Sequence, residues 1–310
     1  MLKFILHANI DKDKWDNCLK KIDRVHFYGL YGYLSAICQW NALVLEENNE
    51  YTVLVPLPFN EKFGIRFLYQ PFFCQQLGVF VDRNLTPQET KQIVGLIKKN
   101  HLFGKFQWAN KLGFEYNFSF LEKANFELPL NNSFEQLSSG FNQNRKRNLK
   151  KLHGLDALTV HQVSDLDAIT RCVDSFEKQM QDKIIGVRPE HYRNFLEGNR
   201  LVLSQVTPTV VQIYSEQELV SESYFIEFNN RVIYLMGYTV ANYLKLSVSS
   251  LAFEKIIKNY ANSNKILDFE GGSIPGIAQF YLSFGAQKKE YYVFSLRPIF
   301  IAVKKIFKFV

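Results

Sequence analysis

Metal-binding, disulfide and membrane-spanning patterns are all missing from this 310-residue sequence. The cysteines are few and widely spaced, without a C-x-x-C pair, so neither a zinc site nor a disulfide framework is expected. The histidines are scattered and form no H-E-x-x-H motif. No uninterrupted apolar stretch approaches the ~20 residues of a membrane-spanning helix. Charged residues also follow the short apolar run near Met1 too soon for a signal peptide. The sequence therefore predicts a cytoplasmic protein without a metal site.

Motifs of nucleotide-driven and hydrolytic enzymes are also missing. There is no G-x-S-x-G, kinase or G-x-G-x-x-G motif. The segment Gly271–Gly276 resembles a phosphate-binding loop only faintly. Ile277 and Ala278 occupy the positions where such a loop requires Lys and Ser or Thr. These absences weigh against ATP hydrolysis and against a Rossmann-type cofactor site.

Apolar and aromatic residues, by contrast, are abundant: the hydrophobic fraction is 47%, with 28 Phe and 16 Tyr. This composition predicts a large packed core, since disordered chains are poor in aromatic residues. The formal net charge of +7 favours anionic partners. The candidates are nucleotide cofactors, phosphorylated substrates, tRNA and an anionic membrane surface, whereas DNA is not expected.

The same order of predicted elements occurs twice along the chain. In the first half, strands at 42–45 and 51–56 precede a helix that begins at the capping signal Thr86-Pro87-Gln88-Glu89, and a strand follows at 103–108. In the second half, strands at 210–214, 219–228 and 232–237 precede a helix from about 246 to 261 and a strand at 265–270. The repetition predicts a mixed α/β fold of two tandem halves, 1–132 and 133–297, followed by a basic amphipathic tail, 298–310.

Residues 133–152 are predicted to form one helix. At about 100° per residue its apolar positions fall on one stripe, and Arg145 and Asn148 lie within that stripe. An unpaired charge in the core is costly, so Arg145 needs an anionic partner. Two alternatives stay open: a structural salt bridge to a carboxylate of the second half, and a clamp for a phosphate or carboxylate of a ligand.

The predicted strand at 265–270 ends in two carboxylates and enters a glycine loop. Asp268 and Glu270 share one face of this strand, and Gly271, Gly272 and Ser273 follow. Either carboxylate is a candidate base for an attacking amine, although one of them could equally cap a helix while the other pairs with the helix arginine. The glycines have no Cβ, so they let a ligand or another backbone approach closely.

Two further segments offer binding residues. Phe280 and Phe284 lie one helical turn apart and are either a core pair or part of a ligand-facing surface. The helix predicted to begin near Ser247 follows a strand that ends at Gly237, and N–H groups at a helix start can hold a pyrophosphate. A serine at that position serves equally well as an N-cap.

Three segments, taken in order, resemble the FemAB-like acyltransferases of the GNAT fold. The segments are NRKRNLKKLHGLDALTV, RVIYLMGYTVANYLKLSVSSLAFEKII and KILDFEGGSIPGIAQFYLSFGA. The resemblance spans roughly Gln143 to Phe294, and it implies a double GNAT fold and transfer of an acyl group to an amine. The donors it implies are acyl-CoA or, as in enzymes that build peptidoglycan cross-bridges, aminoacyl-tRNA. No covalently bound cofactor is expected.

Two departures from the family pattern bear on the chemistry. Tyr281 follows Phe280 where the closing motif of the family has a lysine, which supports charge at the reacting centre in the cross-bridge enzymes. The pyrophosphate loop of GNAT enzymes, Q/R-x-x-G-x-G/A, is missing before the helix near Ser247. The first departure weighs against aminoacyl-tRNA as the donor, and the second weighs against CoA.

The resemblance places the ligand cleft in the second half, between the strand ending near Gly237 and the strand ending near Asp268, with a backbone N–H near Gly237 holding the oxyanion. The candidate catalytic residues are Asp268, Glu270 and Tyr281. The candidate donor- and substrate-binding residues are Arg145, Asn148, Gly237, Tyr238, Thr239, Ser247, Gly271, Gly272, Ser273, Phe280 and Phe284.

The function expected from these patterns is that of an N-acyltransferase acting on an amine of a metabolite or a cell-envelope precursor. The alternative is a non-catalytic GNAT-fold protein that binds an anionic or lipid-linked ligand at the membrane surface. In either case the tail 298–310, in which Lys304, Lys305 and Lys308 alternate with apolar residues, is predicted to lie on the protein or membrane surface.

Overall fold

The computed structural model describes residues 1–23, 25–109, 111, 113, 118–180 and 183–297. The chain divides into two compact units. The first is Met1–Lys123 together with the chain from Glu290 onward, and the second is Ala124–Lys289. The boundary expected near residue 133 falls inside the second unit. The tail 298–310 lies outside the described residues, so its predicted helix stays a prediction.

The first unit is built on a mixed sheet with helices in its connections. In chain order its elements are β1 (Lys3–Ile5), α1 (Lys12–Lys20), α2 (Tyr31–Ile37), β2 (Trp40–Glu47), β3 (Glu50–Lys62), β4 (Ile65–Leu68), α3 (Pro87–Asn100) and β5 (Phe103–Trp108). The strands β1 to β4 pair antiparallel in succession, and β5 lies parallel to β4 with α3 in the connection. The predicted meander, helix and strand are therefore confirmed for this unit.

The start of α3 is set by local sequence. The Thr86 hydroxyl accepts a hydrogen bond from the N–H of Glu89, and the Glu89 carboxylate accepts one from the N–H of Thr86. Pro87 is the first helical residue, where its missing N–H costs nothing. These contacts confirm the capping box predicted from the sequence. They fix the face on which Ile93 and Ile97 are buried.

The second unit repeats this plan and adds helices. Its elements are the end of β6 (Ser119–Pro129), then α4 (Phe134–Ser139), α5 (Gln143–His153), β7 (Leu158–Val163), α6 (Leu166–Met180), α7 (Pro189–Val202), β8 (Thr207–Ser215), β9 (Glu218–Phe228), β10 (Arg231–Thr239), α8 (Ser250–Tyr260), β11 (Ile266–Asp268) and α9 (Pro275–Leu282). The strands β7 to β10 pair antiparallel in succession, and β11 lies parallel to β10 with α8 in the connection.

Each parallel pair of strands has a further antiparallel neighbour. In the second unit β11 pairs with β6, from Ile266 opposite Pro129 to Asp268 opposite Glu127. In the first unit β5 pairs with β12 (Gln287–Leu296), the last described strand of the chain. The first unit is thus completed by residues that follow the second one in sequence, an arrangement that two consecutive halves did not anticipate.

The prediction of one continuous helix over residues 133–152 is wrong. It is divided into α4 and α5 by Gly140, which caps α4, and by Asn142, whose side chain accepts a hydrogen bond of 2.9 Å from the N–H of Arg145. The N–H of Asn142 also donates to the carbonyl of Ser283, at 3.0 Å. The expected burial of Arg145 is still confirmed, because it shares the buried face of α5 with Leu149.

The end of β11 and the start of α8 both differ from their predicted positions, and for the same reason. The strand β11 ends at Asp268, since Glu270 adopts a φ of 50°. The helix α8 begins at Ser250, since Ala241–Leu246 form a 3-10 helix that ends at Ser247 with a φ of 52°. Backbone in the left-handed region ends regular structure. Asp268 and Glu270 therefore do not continue one alternating strand face as predicted.

Helices cover both faces of the sheet in the second unit. Tyr224 and Phe225 are neighbours on β9 and point to opposite faces. Phe225 packs against Phe253 of α8 with ring centroids 5.5 Å apart. The Tyr224 hydroxyl donates to the Asn199 side chain of α7 at 2.8 Å. It follows that α8 lies on one face and α7 on the other.

Candidate active site

A wedge opens between β10 and β11. The two strands pair only from Arg231 opposite Ile266 to Ile233 opposite Asp268. Beyond that point β11 ends, whereas β10 continues to Thr239 beside β9, with a bulge between Tyr234 and Met236. Within the described residues the far edge of β10 therefore lacks a neighbouring strand past Ile233. Its backbone groups are available to an extended, amide-containing ligand.

The loop that leaves β11 has three consecutive residues in unusual backbone conformations. Glu270, Gly271 and Gly272 have φ values of 50°, 65° and 112°. A Cβ on Gly272 would lie 2.2 Å from the ring of Phe126, whereas a Cβ on Gly271 would have no atom within 4 Å. Gly272 is therefore required for packing, and Gly271 borders open space. Ser273, which follows, is exposed.

The carboxylate of Asp268 is fully buried and bound by protein groups on both oxygens. Its Oδ2 pairs with the guanidinium of Arg231 at 2.7 Å. Its Oδ1 accepts hydrogen bonds from the side chain of Asn125 at 2.9 Å and from the N–H of Glu270 at 3.1 Å. Arg231 also pairs with Glu127 of β6 at 2.8 Å. These contacts join β6, β10 and β11 at the closed end of the wedge.

Tyr281 lies on α9 with its side chain in the aromatic core. Its ring is 4.9 Å from the ring of Phe269. Burial raises the pKa of the Tyr281 hydroxyl well above its usual value, and the hydroxyl of Tyr234 and the carboxylates of Glu270 and Asp268 raise it further. Tyr281 is therefore protonated at neutral pH, so that it can donate a hydrogen bond but cannot supply a positive charge.

The guanidinium of Arg145 is held by hydroxyls, an amide and two rings. Its Nε donates to the Ser283 hydroxyl at 3.0 Å, and its Nη1 donates to the Asn148 side chain at 2.8 Å and to the hydroxyl of Ser250. The rings of Phe280 and Phe284 lie against it, with centroids 4.6 and 4.4 Å from Cζ. Arg145 thus connects α5 with the first turn of α8 and the end of α9.

The positive charge of Arg145 has no carboxylate partner within the described residues. Of the two alternatives from the sequence, the structural salt bridge is therefore wrong for this part of the chain. Burial lowers the pKa of Arg145 to about 10, so the group remains charged at neutral pH. Its Nη2 makes no hydrogen bond with any residue that the structure describes. The arrangement leaves a buried cation able to accept an anionic ligand.

Residues 139–274 match the family model of the GNAT acetyltransferase domain. The match covers less than half of the chain, so this part of the chain is similar to the GNAT acetyltransferase domain. No curated protein matches the chain. This similarity supports the acyltransferase class that was expected from the sequence.

Solved structures of the same fold cover nearly the whole chain. FemX is 11% identical, with a TM-score of 0.70 over 97% of this chain and 99% of its own. The C-terminal domain of a candidate lysylphosphatidylglycerol synthetase from Agrobacterium fabrum is 10% identical, with a TM-score of 0.62 over 97% and 96%. A tandem GNAT protein from the clavulanic acid biosynthesis pathway is 10% identical, with a TM-score of 0.52 over 95% and 98%. These likenesses confirm the predicted double GNAT fold.

The segment before α8 is the one in which the expected pyrophosphate-loop pattern is missing. Asn148 donates to the carbonyl of Leu246 at 2.8 Å and so ties α5 to the 3-10 helix. Ser247 ends that helix, and no side chain caps the start of α8 at Ser249. The N–H groups of Val248 and Ser249 make no hydrogen bond within the described part of the chain. They lie in the same first turn as Ser250, the residue that contacts Arg145.

Three predicted binding residues lie at the end of β10. A Cβ on Gly237 would meet the carbonyl of Glu222 at 2.7 Å and the hydroxyl of Tyr234 at 2.8 Å, so the glycine is explained by packing. Burial and the carboxylate of Glu222 raise the pKa of Tyr238. The carbonyl of Thr239 accepts a hydrogen bond from Gln179 at 2.9 Å. A role for the backbone of Gly237 in holding an oxyanion stays a prediction.

Sequence reasoning missed two charged residues of this domain. Arg231 opens β10 and is the counter-charge of Asp268. Glu222 is fully buried on β9, where it accepts a hydrogen bond from Gln212 at 2.7 Å and lies 3.7 Å from Arg171. For Glu222 the available signal was a charged residue in the middle of a strand, whereas Arg231 at the start of β10 gave no such signal. The partners of both residues lie on other strands and helices.

Two searches of the described residues gave negative results. No group of three His, Cys, Asp or Glu side chains there could hold a metal ion. No helix in the same residues is long and apolar enough to cross a lipid bilayer.

Proposed function

We propose that this protein transfers an acyl or aminoacyl group from an activated, phosphate-bearing donor to an amine in the wedge of its GNAT domain. The observation that carries the proposal is Arg145, a buried cation without a carboxylate partner among the described residues, which lies beside the uncapped start of α8. Phosphate oxygens would satisfy both the guanidinium and the free N–H groups of this turn. Acyl-CoA and aminoacyl-tRNA share this chemistry.

In the proposed reaction the donor's acyl arm lies along the open edge of β10. The nitrogen of the acceptor attacks the acyl carbon, a C–N bond forms, and the C–S bond of a thioester or the C–O bond of an ester breaks. A backbone N–H of β10 near Gly237 stabilises the oxyanion. Tyr281, which stays protonated, is proposed to donate a proton to the leaving sulfur or oxygen.

The proposed base is Glu270 rather than Asp268. Asp268 is fully buried, and both of its oxygens already accept hydrogen bonds or an ion pair from the protein. A base must have access to the amine whose proton it takes. Glu270 is half-buried at the mouth of the wedge, and its carboxylate is close enough to raise the pKa of Tyr281. Asp268 is proposed to hold the strands in place.

The acceptor is proposed to be an amine of a cell-envelope precursor or a related metabolite. Support comes from the sequence resemblance to enzymes that build peptidoglycan cross-bridges. The name of one protein of the same fold, a candidate lysylphosphatidylglycerol synthetase, refers to a lysyl group joined to a lipid, which favours an aminoacyl donor, although the lipid offers a hydroxyl and not an amine. Tyr281 in place of the family lysine weighs in the other direction.

The donor can be identified by thermal shift with CoA, acyl-CoAs, charged tRNA and UDP-linked precursors. A donor present at 100 times its Kd should stabilise the fold by about 2.7 kcal/mol.

The identity of the base is tested by comparing turnover with that donor between the variants Glu270→Gln and Asp268→Asn. We expect Glu270→Gln to lower kcat by about 100-fold or more without loss of stability. We expect Asp268→Asn to lower the melting temperature. Full activity of Glu270→Gln would rule out its role as the base.

The alternative is a non-catalytic protein that binds an anionic or lipid-linked ligand in the same wedge. Tyr281 and the missing pyrophosphate loop favour it. If no donor binds in the screen and Tyr281→Lys does not restore binding, this alternative becomes the better account of the site.

A further inference from the structure

A cleft in the first unit, distant in sequence from the wedge residues, is lined by basic side chains. Its volume is about 620 Å³, and its lining comes from the β3–β4 hairpin, the end of α3 and the residue that follows β12. The charged residues of the lining are Glu61, Arg66, Lys98, Lys99 and Arg297. Only one of these five is acidic, and Glu61 pairs with Arg66 at 2.7 Å. The cleft therefore has an excess of positive charge.

A buried histidine also faces this cleft. His101 is 2% exposed and lines the cleft at the end of α3. Its Nδ1 lies 3.4 Å from the carbonyl of Ile97, whereas its Nε2 is buried without a hydrogen-bond partner in the described structure. Buried polar atoms are nearly always hydrogen-bonded in native proteins. The Ile97 carbonyl can only accept, so Nδ1 carries the proton and the unpaired Nε2 is an acceptor, which a hydroxyl of a ligand such as a lipid headgroup would complete.

Helix-end electrostatics explain only part of this arrangement. Lys98 and Lys99 lie in the last turn of α3, where cations are favoured by the helix dipole. That effect does not account for Arg66 on β4 or for Arg297 after β12, which approach the same cleft from other elements. Convergence of cations from three elements is typical of a site for a phosphate or another anion.

The hairpin beside the cleft presents an exposed aromatic residue. Phe63 and Gly64 join β3 to β4 with φ values of 53° and 73°, a two-residue turn of type I′. Asn or Asp normally occupies the first position, because a bulky side chain is unfavourable at positive φ. Phe63 is nevertheless 82% exposed, and Ile65 next to the turn is 44% exposed. The Lys62 ammonium lies 5.7 Å from the centroid of the Phe63 ring, and most of the ring remains exposed beside this cation.

We propose that this face of the first unit docks on an anionic membrane, with a lipid phosphate in the basic cleft and Phe63 in the interfacial layer. Lys62, Arg66 and Lys98 would lie at the level of the headgroups, and Phe63 and Ile65 would enter between them. An apolar tip surrounded by cations is the pattern expected of interfacial binding to anionic lipid. An RNA base can stack on an aromatic ring such as Phe63, but it gains nothing from the exposed aliphatic side chain of Ile65, so the two apolar residues together favour lipid.

The test is co-sedimentation of the full chain with phosphatidylcholine vesicles, with and without phosphatidylglycerol. We expect binding only to the vesicles that contain phosphatidylglycerol, and weaker binding at high salt. The variant Lys98→Gln/Lys99→Gln should lower the affinity by about 30-fold, since each surface cation contributes about fivefold. Phe63→Asn should lower it by about tenfold, because an apolar side chain no longer enters the interface.

Two control variants match these changes elsewhere on the protein. Lys12→Gln/Lys20→Gln removes the same charge from exposed positions of α1, and Ile185→Asn removes an apolar side chain that is 97% exposed. Both should bind vesicles as the parent chain does. Asn is favoured at the backbone conformation of Phe63, so the melting temperature of Phe63→Asn should not fall.

Three results would overturn the proposal. The first is failure of the parent chain to bind phosphatidylglycerol vesicles. The second is an equal loss in the cleft and control variants, which would indicate net charge alone. The third is binding that Phe63→Asn leaves unchanged and that tRNA competes away, which would identify the cleft as a nucleic-acid site.

Discussion

Two buried arginines of the second unit differ in how their charges are compensated. Arg231 lies between the carboxylates of Asp268 and Glu127 at 2.7 and 2.8 Å. Arg145 contacts hydroxyls, an amide and two rings, but no carboxylate that the structure describes. Both are less than a tenth exposed. The two arginines therefore allow a comparison between a charge that carboxylates compensate, at Arg231, and a charge that is proposed to bind an anionic ligand, at Arg145.

Substituting each arginine with methionine should separate these roles. Arg231→Met removes the guanidinium that pairs with the buried carboxylate of Asp268 and the partly buried carboxylate of Glu127, and should lower the free energy of unfolding by about 3–5 kcal/mol. Arg145→Met loses hydrogen bonds but removes an uncompensated charge, so the loss should be about 1–2 kcal/mol or less. Urea denaturation measures both. Donor affinity should fall only for Arg145→Met among variants that remain folded. A larger loss of stability for Arg145→Met than for Arg231→Met would contradict this assignment.

The buried histidine of the first unit predicts a dependence of stability on pH. Burial lowers the pKa of His101 to about 4 from its usual 6.5. As the pH falls below 6.5, the unfolded chain takes up a proton that the folded chain refuses, so stability decreases until the folded-state pKa is reached. The loss attributable to His101 should approach about 3 kcal/mol at pH 4.

The measurement is denaturant unfolding between pH 7 and pH 4 for the parent chain and for His101→Leu. Other groups titrate in this range in both proteins, so the difference between the two curves isolates His101. Parallel curves would show that its pKa is not depressed in the folded protein.

At the scale of elements, the loop after β11 decides the shape of the wedge. Glu270, Gly271 and Gly272 all adopt positive φ, and the loop leaves the sheet as soon as Asp268 has made its contacts. The two glycines act through different constraints. Gly271 needs only its backbone conformation, whereas Gly272 also lies against the ring of Phe126.

Alanine substitutions in this loop should therefore differ in cost. Gly271→Ala should cost about 1–2 kcal/mol, the penalty for a left-handed L-residue. Gly272→Ala should cost clearly more, because its Cβ would lie 2.2 Å from the Phe126 ring. Thermal unfolding ranks the two variants. Gly272→Ala/Phe126→Leu, which makes room for the methyl group, should recover part of the loss. An equal loss of stability in Gly271→Ala and Gly272→Ala would show that the Phe126 ring moves aside freely.

At the scale of the whole molecule, the first unit depends on a strand from the far end of the chain. The ring of Phe294 on β12 lies 5.6 Å from that of Phe106 and 5.9 Å from that of Trp108, both on β5. Removing β12 would expose these rings and an unpaired strand edge, which promotes aggregation. Stability of the first unit is thus linked to residues beyond the second.

Two truncations test this dependence. A chain that stops after Lys289 lacks Tyr292–Leu296, the part of β12 that pairs with β5, so it should lose protection of β5 in hydrogen exchange and should aggregate. A chain that stops after Arg297 retains β12, and its melting temperature should stay nearly unchanged. The second truncation also tests the prediction for the tail 298–310, which is that liposome binding falls while stability is kept. A large loss of stability after the second truncation would place the apolar tail residues in a core.

Much of the fold could be predicted because it is encoded locally. The capping box at Thr86 fixed the start of α3. The alternating runs of β8, β9 and β10 and the turns between them gave the hairpins at the correct positions. The helical angle of Arg145 relative to Leu149 predicted its burial, although the helix is shorter than expected. In each case the signal extends over a few residues, within which backbone preference and periodicity decide the outcome.

The candidate site could be predicted only in part. The segments around Asp268, Gly272 and Tyr281 follow one another along the chain, and in the fold the ring of Tyr281 packs against Phe269, the residue after Asp268. Which carboxylate is engaged could not be predicted, because Arg231 is 37 residues away from Asp268. The break between α4 and α5 had local signals in Gly140 and Asn142, but a continuous apolar stripe outweighed them.

The sequence by itself determined the elements, the double GNAT order and the burial of a cation on α5, because these depend on neighbours in the chain. The tertiary structure alone decided which charged side chains form ion pairs and which strands pair with each other within each unit. Arg231 compensates Asp268, so Arg145 is left without a carboxylate among the described residues. The pairing of β12 with β5 joins residues far apart in sequence. Such pairings depend on which surfaces meet in the folded chain, and periodicity along the sequence carries no information about that.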